Sequence, residues 1–124
     1  MSYLQSQLIE IKRVSKKGRG VFARTKIPKA TVIERVPMVT LPVADVFGST
    51  RQSQLAQYVF NWSDGVVAIA LGYGSLYNHS YRPNAKFYRE GSLTQVFYAI
   101  RDIDAGEEIT VDYNGPQLSF DVVD

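Results

Sequence analysis

Leu76-Tyr-Asn-His-Ser-Tyr-Arg-Pro-Asn84 is the most informative stretch of this chain of 124 residues. It combines polar and turn-forming residues, and it lies between two apolar segments, 66–71 and 87–88, that are typical of strands. Asn78 offers a hydrogen-bond donor and an acceptor on one short side chain, and His79 is the only histidine in the sequence. The pattern predicts a polar turn between two strands.

A second stretch, Ala105-Gly-Glu-Glu-Ile-Thr-Val-Asp-Tyr113, ends 35 positions after Asn78. Its second half is rich in β-branched residues, which favours a strand. Residues 99–109 also resemble an earlier segment, 23–33, when the two are aligned at a constant offset of 76. This echo predicts two strand–turn–strand units of similar shape, and it is too short for a repeat array.

Two further segments lie nearer the N-terminus. Gly18-Arg-Gly-Val-Phe-Ala23 begins with two glycines, which leave the backbone open to close approach by a ligand. Residues 49–62 are the one good helix candidate, because Leu55, Val59 and Trp62 recur at helical spacing.

In this order, these stretches resemble the SET-domain family of protein lysine methyltransferases. The resemblance covers residues 10–115 approximately. The strings Asn-His-Ser-x-x-Pro-Asn and Glu-Ile-Thr-x-Asp-Tyr are highly specific, whereas a Gly-x-Gly alone is weak. The chain is similar to minimal, single-domain members without cysteine-rich flanking segments, such as small viral or bacterial SET proteins.

The resemblance implies a mostly β fold, the SET-domain (β-clip) arrangement of several small sheets with one short helix and a C-terminal pseudoknot. Such threading is a rare exception among proteins, and it would place residues 78–79 beside Tyr113. One domain is expected over residues 1–124, with a core over about 8–115. The tail, 116–124, alternates apolar and polar residues and is expected to form a lid or a contact in a homodimer.

The family also implies a role for each matching residue. Tyr113 is the expected catalytic residue, because its hydroxyl and nearby carbonyls can hold a polarised methyl group through weak C–H···O contacts. The expected cofactor is S-adenosylmethionine, and no metal is implied. The residues expected to bind this cofactor are Gly18, Arg19, Gly20, Tyr77, Asn78 and His79.

The substrate lysine is expected to enter an aromatic channel lined by Tyr58 and by Phe87 or Tyr88. Neighbouring residues of a strand face opposite sides, so only one of the last two points inward, and counting from His79 favours Phe87. The channel has a chemical purpose, since a lysine with a pKa near 10.4 costs about 4 kcal/mol to hold neutral at pH 7.4. Desolvation lowers that cost by disfavouring the charged amine.

Composition narrows the chemistry further. The chain has no cysteine and one histidine, which excludes disulfides, a thiolate nucleophile and zinc sites built from cysteines or several histidines. A net charge of +2 is too small to favour nucleic-acid binding. No apolar run approaches the ~18 residues of a membrane span, and the N-terminus is too polar for a signal peptide. An intracellular protein is expected, cytoplasmic, or nuclear and chromatin-associated in a eukaryotic cell.

Charge is unevenly distributed along the chain. Residues 1–35 carry nine Lys/Arg against two acids, and from residue 101 onward one Arg faces seven acids. The pattern indicates either two solvated faces or an acidic end that attracts a basic peptide. A histone tail is the leading candidate for the lysine-containing protein that the family resemblance implies as substrate.

Two other functions fit the sequence. A catalytically inactive SET-like module would bind a peptide or the cofactor without turnover, and the presence of Tyr113 and Asn78 argues against it. A structural β-clip domain would share the hairpin that spans residues 21–33.

Overall fold

The computed structural model describes residues 3–14, 18–47 and 54–113. Within these ranges the strands are β1 (Ile9–Val14), β2 (Gly18–Ala23), β3 (Val32–Pro42), β4 (Val59–Ser63), β5 (Val66–Ala70), β6 (Asn78–His79), β7 (Ala85–Arg89), β8 (Thr94–Ala99) and β9 (Glu108–Val111). The helical segments are α1 (Ala44–Phe47) and two 3₁₀ helices, Gln54–Tyr58 and Gly74–Leu76. The prediction of a mostly β fold with one short helix is confirmed. None of the helical segments in these ranges has the length and apolar character needed to cross a bilayer.

The strands form two sheets, with the orders β1-β2-β9-β6 and β4-β5-β3-β8-β7. Neighbouring strands are antiparallel except for β6 and β9, which run parallel and pair Asn78 with Thr110 and His79 with Val111. The last strand described, β9, therefore lies between β2 and β6. This order carries the C-terminal stretch directly to the Asn78–His79 segment.

The two units of the sequence echo are joined to each other. Ile27 and Ile103, which are equivalent in the echo, exchange backbone hydrogen bonds of 2.8 Å in both directions. The Ala30 N–H donates to the carbonyl of Ala99 at 2.8 Å, and the Ala99 N–H donates to the carbonyl of Thr31 at 3.0 Å. The two segments of the echo are therefore two loops that are joined to each other by backbone hydrogen bonds.

The helix predicted over 49–62 is wrong over its second half. That half contains β4, in which Phe60 and Trp62 are buried at alternate positions. Residues 54–58 are a 3₁₀ helix, and residues 49–53 lie outside the described residues. Pairing with β5 buries these rings, and such tertiary pairing outweighs a helical spacing that is ambiguous over a short segment.

One hydrophobic cluster connects the two sheets. It contains Val21 and Ile109 from the first sheet and Phe87 and Phe97 from the second, and Tyr113 packs against it. The end of β9 is therefore fixed to the core, and the site at this point rests on buried side chains. The tail at 116–124, expected to be a lid or a dimer contact, lies outside the described residues.

Candidate active site

Tyr113 follows β9 and is held at two points. Its hydroxyl donates a hydrogen bond to the backbone carbonyl of Tyr77. Its backbone N–H donates to Nδ1 of His79 at 3.2 Å. The two segments that were expected to meet, 78–79 and Tyr113, are therefore in direct contact.

The His79 imidazole is oriented by its contact with Tyr113. Because Nδ1 accepts the Tyr113 N–H, the neutral ring carries its proton on Nε2. Nε2 is buried and has no hydrogen-bond partner within the described part of the chain. The ring packs edge-on against Tyr81, with centroids 4.4 Å apart, and Oδ1 of Asp112 lies 3.8 Å from Nδ1. The imidazole therefore helps to hold the backbone of Tyr113 in place.

An aromatic wall stands beside Tyr113. The Phe60 ring lies edge-on to Tyr113, with centroids 5.1 Å apart, and edge-on to Phe87, also at 5.1 Å. Phe60 and Phe87 are 4% and 3% exposed. This geometry is the favoured one for aromatic pairs, and it leaves one side of the Tyr113 ring in an apolar environment.

The surroundings also determine the ionisation of Tyr113. Burial, with a smaller effect of Tyr58, raises the pKa of the Tyr113 hydroxyl to about 12. The hydroxyl is therefore protonated at neutral pH and acts as a donor toward the Tyr77 carbonyl, while its oxygen can still accept weak contacts.

Tyr58 lies at the end of the 3₁₀ helix next to this wall. Its backbone carbonyl accepts a hydrogen bond of 2.8 Å from the Ser75 hydroxyl, and that hydroxyl accepts the N–H of Ala70 at 3.0 Å. The side chain is 40% exposed, and it is close enough to Tyr113 to affect its pKa. Tyr58 is therefore fixed by its backbone, with a partly exposed side chain near Tyr113.

Phe87 and Tyr88 face opposite sides of β7. Phe87 points to Phe60, whereas Tyr88 is 46% exposed and contacts Tyr98 with ring centroids 5.8 Å apart. Of the two candidates for the channel, the structure brings only Phe87 to the aromatic wall. Tyr88 lies away from Tyr113 because the strand alternates its side chains.

The polar side of the site centres on the Asn78 amide. Nδ2 donates to the Arg19 carbonyl at 3.0 Å and to Oε2 of Glu108 at 2.6 Å. Both partners are acceptors, so they require the nitrogen of the amide on their side. This leaves Oδ1 of Asn78 as the atom that can accept a hydrogen bond from a ligand.

Gly20 allows this close arrangement. A Cβ at Gly20 would lie 2.5 Å from Oε2 of Glu108 and 2.8 Å from Nδ2 of Asn78, which is too close for either. Gly18 differs, since its φ is +81° and a Cβ there would meet no atom within 4 Å. Arg19 contributes its carbonyl, which accepts the Asn78 amide N–H. Gly20 therefore packs tightly against the Asn78 amide, whereas Gly18 and Arg19 lie at the exposed edge of β2.

Tyr77 contributes its backbone and not its ring. The side chain is 1% exposed, stacks on Phe97 with centroids 4.4 Å apart, and donates from its hydroxyl to Oε1 of Glu34 at 2.8 Å. Tyr77 was expected to bind the cofactor, and its ring lies in the core. Its carbonyl, which accepts the Tyr113 hydroxyl, is the part of Tyr77 at the site.

Comparison with known families agrees with this geometry. Residues 18–114 match the SET domain family, which covers the strands, the Asn78 segment and Tyr113. The chain belongs to the SET-domain family. This is a family of protein-lysine methyltransferases, as the resemblance of the motifs had indicated.

Curated relatives of this SET domain carry consistent names. One from Schizosaccharomyces pombe, "Histone-lysine N-methyltransferase, H3 lysine-37 specific", is 33% identical over 114 residues, which are 91% of this chain and 77% of the relative. "Histone-lysine N-methyltransferase mes-4" from Caenorhabditis elegans is 32% identical over 88% of this chain. A Chaetomium globosum "Histone-lysine N-methyltransferase, H3 lysine-4 specific" is 34% identical over 76% of it. The SET domain spans only 14% and 10% of these last two relatives.

A solved structure has the same fold as this SET domain. It is the crystal structure of a Plasmodium falciparum putative histone methyltransferase, with 28% sequence identity and a TM-score of 0.71. The superposition covers 91% of this chain and 96% of that one. The strand arrangement described above is therefore that of the family.

Several residues of the site were not predicted from the sequence. Phe60 was assigned to a helix, so its place in the aromatic wall was missed, although a period-two reading of residues 59–63 would have found it. Asn84 was expected to shape a turn; it also donates to the carbonyl of Glu108 at 2.8 Å and accepts the Thr110 N–H at 2.9 Å. Glu108 begins the string Glu-Ile-Thr-x-Asp-Tyr but was given no role, and Glu34 carries no sequence signal that separates it from surface acids. Among the described residues, no group of three or more His, Asp or Glu is arranged to hold a metal ion.

Proposed function

We propose that this protein transfers a methyl group from S-adenosylmethionine to a lysine side chain of a histone or another basic protein. The observation that carries the proposal is Tyr113, whose hydroxyl donates to the carbonyl of Tyr77, directly before Asn78, and whose ring packs edge-on against Phe60. Two groups of residues flank this contact: a polar cradle (Gly18, Arg19, Gly20, Asn78 and Glu108) and an aromatic wall (Phe60 and Phe87). The names of the relatives support a histone as the substrate. They also favour a nuclear, chromatin-associated protein.

The cradle fits a cofactor with an amino acid end. Gly20 lets the Asn78 amide and the Glu108 carboxylate approach the backbone more closely than a Cβ would allow. The Asn78 Oδ1 and the Glu108 carboxylate are suited to an ammonium group, and the backbone at Gly18 and Arg19 is open to close approach. S-adenosylmethionine, when bound, supplies an electrophilic methyl group on a positively charged sulfur.

The aromatic wall prepares the substrate amine. Only a neutral lysine has the lone pair that forms the new N–C bond, and an apolar wall disfavours the ammonium form. Phe60 and Phe87 supply this environment, and they also exclude water from one side of the Tyr113 ring. Their main contribution is therefore to the protonation state and the alignment of the amine.

Tyr113 orients the reacting groups and does not act as the base. With a pKa of about 12, its hydroxyl keeps its proton at neutral pH and donates a hydrogen bond to the Tyr77 carbonyl. The phenolic oxygen and neighbouring carbonyls then accept weak C–H···O contacts, each of second-order strength. The proton that lysine loses passes to solvent.

Methyl transfer to histones tests the proposal directly. The purified protein is incubated with labelled S-adenosylmethionine and core histones, and mass spectrometry locates the modified lysines. We expect label on one or a few lysines with the wild-type chain. The control variant Tyr98→Phe, which removes a hydroxyl from the face where Tyr98 contacts Tyr88, should give the same labelling.

The cofactor site is tested separately by calorimetry. Asn78→Ala removes the amide that Arg19 and Glu108 orient, and a buried partner left unpaired costs about 1–3 kcal/mol. We expect S-adenosylmethionine affinity to fall by that amount. Tight binding with no transfer to any protein would instead identify an inactive binding module, and no binding at all would indicate a purely structural domain.

A further inference from the structure

The most buried carboxylate of the site region is not explained by the proposed reaction. Glu34 is 4% exposed and lies in β3, away from the cradle. Its Oε1 accepts the Tyr77 hydroxyl at 2.8 Å, and its Oε2 accepts the Tyr73 N–H at 2.9 Å. Both of these donors are neutral groups, and burying a carboxylate against neutral groups is costly.

The ionisation of the pair shows which atom donates. Burial raises the pKa of the Glu34 carboxyl, and the hydrogen bonds from Tyr73 and Tyr77 offset part of this rise. Burial, together with the Glu34 charge, raises the pKa of the Tyr77 hydroxyl well above its ordinary value. The Tyr77 hydroxyl therefore keeps its proton, in agreement with its donating to Oε1 of Glu34.

The segment that Glu34 holds is tightly fitted. Gly72 has a φ of +60°, and a Cβ there would lie 2.8 Å from Oε2 of Glu34. A Cβ at Gly74 would lie 2.5 Å from the Cβ of Ala70. The chain at Gly72 therefore passes directly beside the carboxylate, and the hydrogen bonds from Tyr73 and Tyr77 hold the following residues to it.

Tyr77 connects this anchor to the reaction site. Its ring is fixed at the tip by Glu34 and on one face by Phe97, with an interplanar angle of 23°. Its carbonyl accepts the Tyr113 hydroxyl. A shift of the ring would therefore move the carbonyl, and the Tyr113 hydroxyl would follow.

We propose that Glu34 is a positioning residue, whose buried carboxylate sets the place of the Tyr77 carbonyl and through it the orientation of the Tyr113 hydroxyl. The inference rests on the proposed function for its effect on turnover. Its effect on the Tyr113 side chain is independent of any activity.

The test combines kinetics with a direct signal from Tyr113. Glu34→Leu removes both acceptors. Glu34→Gln keeps one oxygen that can accept the Tyr73 N–H, while its NH2 group can donate to the Tyr77 hydroxyl oxygen, so both contacts can be kept. The chain has eight tyrosines, so labelling them with ¹³C at Cζ gives few resonances. The Tyr113 resonance is assigned by its loss in Tyr113→Phe.

We expect the Tyr113 resonance to shift in Glu34→Leu and to stay near its wild-type position in Glu34→Gln. kcat should fall by roughly tenfold or more in the Leu variant, because small displacements of positioned groups are costly. The cofactor KM should stay within about twofold, since the cradle is untouched, and Gln should restore most of kcat. If Glu34→Leu does not fold, Tyr77→Phe replaces it, because this change removes only the hydroxyl and keeps the carbonyl.

An unmoved Tyr113 resonance in the Leu variant, or in Tyr77→Phe when that variant replaces it, would overturn the inference, and so would a wild-type kcat. Tyr98→Phe, which removes a hydroxyl elsewhere on the sheet, should change neither measurement. If the wild-type protein methylates nothing, the proposed function fails, and the resonance alone decides the role of Glu34.

Discussion

The polar cradle and the aromatic wall of this SET domain are built in different ways. The cradle, formed by Gly18, Arg19, Gly20, Asn78 and Glu108, uses main-chain groups and short polar side chains at half-buried positions. The wall, formed by Phe60 and Phe87 beside Tyr113, uses buried rings. The cradle is suited to fixing the position of a charged ligand, whereas the wall is suited to changing the protonation state of an amine. Tyr113 and the Asn78–His79 segment are where the two regions meet.

Removing the Tyr113 hydroxyl, where the cradle and the wall meet, should have the largest effect on turnover. Tyr113→Phe keeps the ring on the wall but removes the hydroxyl that donates to the Tyr77 carbonyl. We expect kcat to fall by about 10²–10³-fold, the size of effect seen when one positioned donor is lost. Cofactor affinity, measured by calorimetry, should be nearly unchanged because the cradle stays intact. A variant with near-normal turnover would remove Tyr113 from its role.

The wall is probed by the pH dependence of turnover. If the wall only lowers the cost of a neutral lysine, turnover should rise between pH 7 and about 9, by up to about tenfold per unit. Tyr113, with a pKa of about 12 against an ordinary 10.0, does not titrate in this window. A flat profile, with chemistry shown to limit the rate, would mean that the site removes the proton by another route.

The raised pKa of Tyr113 also determines how the stability of the folded chain depends on pH. Its pKa is raised in the folded state, so the unfolded chain loses this proton first, and the contribution to stability is complete below pH 10 and lost as the pH rises toward 12. Thermal unfolding of the wild-type chain and Tyr113→Phe, compared across this range, serves as the control. Turnover is measured between pH 7 and about 9, below the range in which the ionisation of Tyr113 lowers stability. Loss of folded protein from this cause therefore does not distort the pH dependence of turnover.

Two glycine substitutions probe the cradle: an alanine at Gly20 would be crowded by neighbouring atoms, whereas an alanine at Gly18 would have room but an unfavourable backbone conformation. Gly20→Ala places a Cβ 2.5 Å from Glu108 Oε2 and 2.8 Å from the Asn78 amide, whereas Gly18→Ala meets no atom but requires a φ of +81°. We expect Gly20→Ala to weaken cofactor binding about tenfold, since the contact must be relieved by moving the amide. Gly18→Ala should mainly lower stability, by about 1 kcal/mol. Equal cofactor affinity in the two variants, measured by calorimetry, would contradict this assignment.

The smallest effect concerns how many methyl groups the wall admits. Phe87 contacts Phe60 within it, and Tyr88 points to the other side of β7. We expect Phe87→Tyr to shift products toward fewer methyl groups per lysine, because the added hydroxyl takes up space. Tyr88→Phe should leave the product distribution unchanged by mass spectrometry. The reverse result would exchange the two residues in the channel.

Much of the site was predictable because its residues lie in short, specific strings. Asn78, His79 and Tyr113 were identified from two such strings, and the structure brings them together through the parallel pair β6–β9. Gly20 was expected to let a ligand approach closely; in the structure a Cβ there would collide with the side chains of Glu108 and Asn78. Local sequence patterns carry this information because turn glycines and paired polar side chains act over a few residues.

Other parts depended on contacts that are distant in sequence. Phe60 and Trp62 could be placed on a helix or a strand by spacing, and only the pairing of β4 with β5 makes them a strand. Tyr77 lies directly before the string Asn78-His-Ser-x-x-Pro-Asn84, yet its ring turns to Glu34, which is 43 positions away. Glu34 itself resembles any charged residue of a strand until the fold buries it.

The sequence alone determined the family, the mostly β character and the residues around which a methyl-transfer site would form. Only the tertiary structure decided which side of each strand faces that site, and which buried groups hold Tyr113 in place. The physical reason is that strand identity and turn chemistry come from neighbouring residues, whereas burial, hydrogen-bond partners and ionisation come from segments that meet only after the chain has folded.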